Sequence, residues 1–464
     1  MAACDPSTLA RCSIDLFQGP VLAPARATGL AGAFAAYAEG VDAIASNAAA
    51  VAVRPPYSFS WFDYDLSLGI SFPAALRNND FDNDGAVGFT YRNFVFYNLA
   101  AELQFGPWGI GFLGDFQDYD LLPAKSADDP QVTESLGRLH VVGGRSFLGG
   151  QLSIGGGVRG VELSIDARQN GEAQKQLEMV GVAPEVGVLV RPDYLPWRLG
   201  ATFRSPVEGR ITTATDPSAN LPVPFVAPAS ILLPWELELG ATIQVGPRPL
   251  NPRWIDPHEE EARERRQLAE DRAARLAAQN VELDSIADPG KRSARSQELA
   301  YQETFVRSEE DRRFDDAKKR LLAERRARFA NWPRERIAVM IDLLVSGKSD
   351  DAIGLESFFA AQQSVSSMVA AGDFRRSGQR ITYSPRLGLE GEPVPDRLQT
   401  RIGTYIEPSR FGGLARQHFT FGFDVKLFPW SVFGLLGDQT WRIGGVADLA
   451  PRYQSFGLSL GAWH

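Results

Sequence analysis

The 464-residue chain has little of what most chemistries need. Its two cysteines, Cys4 and Cys12, and four histidines, at 140, 258, 418 and 464, are too few and too scattered for a structural zinc site. The cysteines lie in a polar N-terminal stretch. An oxidising compartment would join them there, and a reducing one would leave two free thiols. No stretch approaches the roughly 18–20 apolar residues of a membrane-spanning helix, the longest candidate running from Ala27 to Ala38, which excludes a helical membrane protein. Positive charge is not in excess. With 48 Lys+Arg against 57 Asp+Glu the net charge is -9, so no nucleic-acid partner is expected. Neither His140 nor His418 adjoins a serine nucleophile motif, and Gly155-Gly156-Gly157 lacks the strand-to-helix setting of a phosphate loop, so it reads as a bend in a strand. Neither enzymatic activity nor a cofactor is expected. No basic, apolar leader precedes the cysteines, so an exported protein would be present here in mature form, and Ala2-Ala3-Cys4 resembles the end of a lipoprotein cleavage site. A soluble protein or a β-barrel remains.

Alternation is what the chain has in quantity. From Phe62 to Phe72 the even positions (Phe62, Tyr64, Leu66, Leu68, Ile70, Phe72) are apolar and the odd ones polar or small, which puts one apolar face on a strand. The pattern returns at Trp235–Val245 and His418–Leu427. Strands of about 9–11 residues cross a bilayer when tilted, whereas soluble sandwiches use about 5–6. Weaker alternating segments bring the count to about fourteen, even as bacterial barrels prefer. Pro-Trp pairs at 107–108, 196–197, 234–235 and 429–430 read as interfacial tryptophans at strand entrances. The expected fold is all-β: a transmembrane antiparallel β-barrel of about 14 strands.

Ahead of the first strand lies a segment of small residues in which Gly29, Gly32, Ala33, Phe34, Asp42, Ala43 and Asn47-Ala48-Ala49 stand at recognisable spacing. It resembles the N-terminal signature of FadL/TodX-type outer-membrane transporters and their PorV-like relatives, in which Gly-x-x-Gly-Ala-aromatic is followed by Asp-Ala and Asn-Pro-Ala. The proline of the last triplet is absent here. The resemblance covers about residues 25–75. It implies a lumenal hatch with Gly29, Gly32, Phe34, Asp42 and Asn47 among its residues. It also implies a bacterial outer-membrane location amid outer-membrane lipid, and passive uptake of a hydrophobic small molecule or lipid such as a long-chain fatty acid or hydrocarbon. The other reading is a PorV-like or scaffold barrel whose charged arm binds protein partners.

That arm is the stretch His258 to Ala330, dominated by Glu, Arg, Ala and Leu. Acids four residues ahead of arginines (Glu259/Arg263, Glu261/Arg265, Glu309/Arg313, Glu324/Arg328) support helix, and Asp288-Pro289-Gly290 breaks it into two arms of a helical hairpin. It follows the eighth strand, so with periplasmic termini it hangs into the periplasm. Val245 and Ile337 should be facing ends of adjacent strands. The organisation reads as a tail (1–24), a lumenal hatch (25–56), a first barrel part (57–256), the hairpin insertion (257–333) and a second barrel part (334–464).

Two further groups are candidate sites. Arg380 and Arg386 on one strand, with Arg397 and Arg401 on the next, could point guanidinium groups into the lumen and hold a carboxylate by bidentate pairing, or else pair with lumenal acids such as Glu236, Glu238 and Asp424. Asp80, Asp82 and Asp84 before Gly85 reproduce the first half of a calcium loop, but the twelfth position is Tyr91 rather than Glu. An acidic turn without a metal is the expectation there.

Overall fold

The computed structural model describes residues 12–55, 57–76, 79–85, 92–122, 131–169, 172–214, 228–349, 352–358, 375–431 and 439–463. It divides into two units, one of residues 1–55, 64–252 and 333–464, the other of 56–63 and 253–332.

The first unit is a closed antiparallel barrel. Its strands are β1 (Ser13–Asp15), β2 (Phe62–Pro73), β3 (Arg92–Phe105), β4 (Trp108–Leu122), β5 (Gln131–Phe147), β6 (Leu152–Gln169), β7 (Glu172–Val190), β8 (Trp197–Arg204), β9 (Val207–Ala214), β10 (Ser230–Leu233), β11 (Glu236–Val245), β12 (Ile337–Ser346), β13 (Ala352–Gly354), β14 (Arg376–Ser377), β15 (Thr382–Val394), β16 (Leu398–Glu407), β17 (Arg416–Trp430), β18 (Gln439–Ala450) and β19 (Tyr453–Ala462). Four pairs, β8/β9, β10/β11, β12/β13 and β14/β15, are each one wall strand interrupted once, so the wall has fourteen strands. It closes where β19 pairs with β2, Leu460 facing Leu68. Two breaks carry proline, Ser205-Pro206 and Pro234-Trp235, where a missing N–H ends the ladder. Pro234-Trp235 is therefore an interruption within a wall strand rather than a strand entrance, and Pro429-Trp430 ends β17 instead of opening a strand. Only the pairs at 107–108 and 196–197 stand at strand starts.

The wall is apolar outside and polar inside. In β17, Phe419 and Phe421 are exposed while the intervening His418 and Thr420 are buried; β2 alternates in the same way, with Leu68 and Ile70 exposed and Ser67 buried. Water would penalise that exterior by about 25 cal/mol for each Å² of apolar surface left uncovered, and lipid removes the penalty. No helix among the described residues is long and apolar enough to cross a membrane.

One feature of the wall has no counterpart in the alternating pattern. The short β1 lies parallel to both β10 and β13, Ser13 level with Ser230 and Ala352, as an added strand at one end of the barrel. Cys12 is disulfide-bonded; Cys4, the other cysteine of the chain, lies outside the described residues. At the opposite end Val245 pairs with Ile337, as expected, and the chain leaves the wall there for the second unit.

The second unit is a helical hairpin of α2 (Pro257–Ser285) and α3 (Pro289–Ala330), capped by Asp256 and Asp288, each followed by proline at the first helical position. Acid–arginine pairs across the two helices dominate: Arg275 binds Glu310 at 2.7 Å and Glu303 at 3.3 Å, and Arg320 binds Glu264 at 2.9 Å. Of the expected pairs along one helix, Glu309–Arg313 forms at 3.6 Å.

Candidate functional site

Residues 16–54 lie inside the barrel wall. Small side chains make this possible. The segment holds α1 (Ala25–Gly29) and two short 3-10 turns, Val41–Ala43 and Ala48–Ala52, and its alanines are almost wholly buried. It touches walls far apart around the ring: Gly29 packs on Gly422 of β17, and Asn47 bonds to β7. The glycines of the wall serve this approach. A Cβ at Gly155 would collide with the backbone of Ala48, and one at Gly187 with Asn47, so these two glycines admit the inner segment, while a Cβ at Gly157 would meet the backbone of Val141 on β5.

Each residue expected in the hatch has a defined contact. Asn47 is fully buried. It accepts from the Ala49 N–H at 2.9 Å and donates to the carbonyls of Ala35 at 2.9 Å and Val188 at 3.1 Å. Asp42 pairs with Arg442. Gly32, at φ 72°, takes the left-handed turn that excludes a side chain, and its carbonyl accepts from Arg386 at 3.2 Å. Phe34 packs on Tyr37 with ring centroids 6.1 Å apart, under the guanidinium of Arg26.

Beneath these lies a buried ion network joining the segment to the wall. Glu390 receives Arg401 at 2.7 Å, Arg336 at 3.1 Å, Arg26 at 3.2 Å and the Tyr37 hydroxyl at 2.9 Å. Burial opposes ionisation of Glu39, yet Arg198, Arg26, Arg336 and Arg191 together hold its carboxyl down to about 2. Burial pushes the Tyr37 hydroxyl up to about 12.

Between the inner segment and the wall is a cavity of about 130 Å³ lined by Arg138, Arg159, Arg204 and Arg386 together with Asp115, Glu236 and Glu238. Arg159 pairs with Glu236 at 2.8 Å, while Arg204 and Arg386 share Glu238, each at 3.1 Å. The Nε of Arg386 makes no hydrogen bond. Glu185 reaches Arg204 as well, at 3.7 Å, so the lining mixes charges of both signs.

The four arginines singled out from the sequence therefore separate. Arg386 lines the cavity. Arg401 is buried between Glu390 and Asp424, at 2.7 Å from each, and acts as an internal partner. Arg380 and Arg397 do not point inward: Arg380 is exposed ahead of β15, and Arg397 is exposed in the turn before β16. Arg138, Arg159 and Arg204 were missed, although each stands at an inward position of an alternating strand, as Arg204 does after the outward Phe203. The three aspartates of the acidic turn come together, and a fourth carboxylate, Glu356 of the helical residues 355–358, joins them from far along the chain.

No family model matches the chain, and no curated protein does. Among solved structures, a FadL homologue from Pseudomonas aeruginosa shares 8% identity over 97% of this chain and 99% of its own, with a TM-score of 0.47. The CymD monoaromatic hydrocarbon channel shares 10% over 95% and 96%, at 0.46, and the P. putida toluene transporter TodX shares 10% over 95% and 97%, at 0.44. The chain is similar to FadL/TodX-type proteins.

Proposed function

We propose that this barrel sits in a bacterial outer membrane and passes hydrophobic small molecules inward, with residues 25–56 as a hatch and the arginine-lined cavity as the place where an anionic headgroup rests. The observation that carries the reading is the cavity between inner segment and wall. At about 130 Å³ it is large enough for a headgroup and smaller than the roughly 300–1,000 Å³ of a site that swallows a whole ligand. An acyl chain or hydrocarbon therefore moves on only when the hatch shifts. The N-terminal signature supports the same assignment.

The test compares uptake of a long-chain fatty acid with that of an uncharged hydrocarbon in cells carrying Arg386→Gln. One charge-assisted hydrogen bond is worth about 1.5–3 kcal/mol, so fatty-acid uptake falls roughly tenfold or more while hydrocarbon uptake stays. Equal loss of both, with lower heat resistance, would assign Arg386 to structural pairing with Glu238 and remove the headgroup site.

A second reading concerns the hairpin. Tyr301 and Phe305 are exposed side by side on α3, with ring centroids 4.9 Å apart, which favours a protein-docking role for this arm.

A further inference from the structure

Four carboxylates apart from the arginine-lined cavity gather where the β2–β3 loop meets the residues after β13. Asp80, Asp82 and Asp84 occupy alternate positions of a loop turned by the positive φ of Asn83 (57°) and Gly85 (91°). The Asp80 carboxylate draws the loop around itself, accepting the N–H groups of Asp84 at 3.0 Å and Gly85 at 3.1 Å. Glu356, in the helical residues 355–358, reaches in from the far side and accepts from the N–H of Phe81 at 3.1 Å and of Asp82 at 3.3 Å. One oxygen from each of the four lies within 4.8 Å of the others.

Asp82 makes the arrangement more than an acidic patch. It is 7% exposed, and neither of its oxygens receives a hydrogen bond. Among the described residues two arginines come near, and neither pairs with Asp82. Arg375 stands 3.5 Å from Asp84, and Arg416 donates to the carbonyls of Asp80 and Phe81 while its charge is taken by Glu407. A buried, unpartnered carboxylate facing three others calls for a cation.

The donor set selects among cations. All the donors are hard oxygens, which suits calcium or magnesium rather than a softer metal. Opposite ligands on calcium lie about 4.6–5.2 Å apart, whereas magnesium needs about 4.0–4.2 Å and keeps several waters instead of an all-protein cage. We propose that Asp80, Asp82, Asp84 and Glu356 bind one calcium ion, which clamps the β2–β3 loop to the residues following β13. The sequence motif breaks off at Tyr91, and Glu356 supplies from the helical residues after β13 the acid that the linear pattern lacks. Because β13 is a neighbour of β1, the ion would also steady the end of the barrel where the N-terminal strand is inserted.

The experiment uses the full chain, purified in detergent and stripped with a chelator. Calcium chloride is titrated by calorimetry and thermal unfolding is followed with and without it. The wild type should bind one calcium with a Kd of about 10⁻⁴–10⁻³ M, the range of extracellular sites, and unfold at higher temperature when calcium is present. Magnesium chloride should bind at least tenfold more weakly. Asp82→Asn should weaken calcium binding at least tenfold. In chelator it should unfold no earlier than the wild type, because the mutation removes a buried repulsion; loss of a merely structural acid would lower that temperature. Glu356→Gln keeps an oxygen for the Phe81 and Asp82 N–H groups and should also lose binding, so the test survives poor folding of either variant. Absence of binding by the wild type at 10 mM calcium chloride, equal affinity for magnesium, or unchanged affinity in both variants would overturn the proposal.

Discussion

Asn47→Ala is the sharpest probe of whether the inner segment is a movable hatch. Its side chain makes three buried hydrogen bonds, one within its own turn to Ala49, one to Ala35 across the segment and one to Val188 on the wall. Removing them forfeits about 1 kcal/mol for each bond and leaves the Ala49 N–H and the Ala35 carbonyl without this partner in a dry site, for a total of about 3–4 kcal/mol. None of the three is a barrel ladder bond. The cost therefore falls on docking of the segment, shifting that equilibrium by a factor of roughly 10²–10³. The assay is ion conductance of the purified protein in a planar bilayer, with heat-modifiable gel migration as the measure of barrel closure. The variant should conduct in bursts where the parent is silent, and should migrate as folded barrel. A cysteine placed at Ser67, a buried inward position of β2, should become reactive to a bulky thiol reagent in the variant only, judged against a control that lacks it. A silent channel with an unreactive cysteine would refute the hatch. A barrel that fails to close would show that the segment is built into the fold.

Three other outcomes are expected. Replacing 258–330 with a short Gly/Ser linker should leave outer-membrane yield and heat-modifiable migration unchanged, because Val245 and Ile337 already face each other and loop length costs little beyond closure; loss of insertion would count against this. Arg401→Gln should lower the unfolding temperature more than Arg386→Gln, since it removes one charge-assisted bond from each of two buried acids, Glu390 and Asp424, at about 1.5–3 kcal/mol apiece, softened by the arginines that remain on each; similar losses in both would contradict the division of roles. Glu39 is held down to about 2 from its ordinary 4.5, so the stability it adds, roughly 3 kcal/mol, is present above the ordinary value and lost as pH falls through that window; Glu39→Gln should flatten acid unfolding there, and an unchanged profile would refute the network.

The wall was legible because alternation is a local signal. In β17 the period of two names both faces, and the structure puts Phe419 outside and His418 inside as that period requires. The hairpin was legible for the same reason, its helix period and Asp288-Pro289-Gly290 break needing no tertiary information. Interruptions of the wall were not, since a proline marks an entrance and a mid-strand break equally well. Nor could the fates of the arginines be read off. Arg386 and Arg401 share an inward register, and what separates them is which carboxylates arrive from other strands: Glu238 for one, Glu390 and Asp424 for the other.

The barrel's inverted polarity explains why so much charge is buried here. An outward face given over to lipid contact leaves the lumen as the inner place for polar side chains, and an inner segment then dries that lumen. Each lumenal charge must find an opposite one or shift its ionisation. The network around Glu390 meets that demand by pairing, joining Arg26 of the inner segment to Arg401 of the wall. The cavity meets it incompletely, with Arg204 and Arg386 sharing Glu238 and one donor of Arg386 unused. On the function proposed above, incomplete pairing next to a hatch suits a transient anionic ligand: enough attraction to enter, and competing internal partners to let it leave. Arg386→Lys should sharpen that distinction. It keeps the charge but not the planar fork, so a bidentate carboxylate contact is lost while neutralisation of Glu238 persists. Fatty-acid uptake should fall with heat resistance unchanged, and full uptake by the lysine variant would show that charge alone, rather than a forked contact, holds the headgroup.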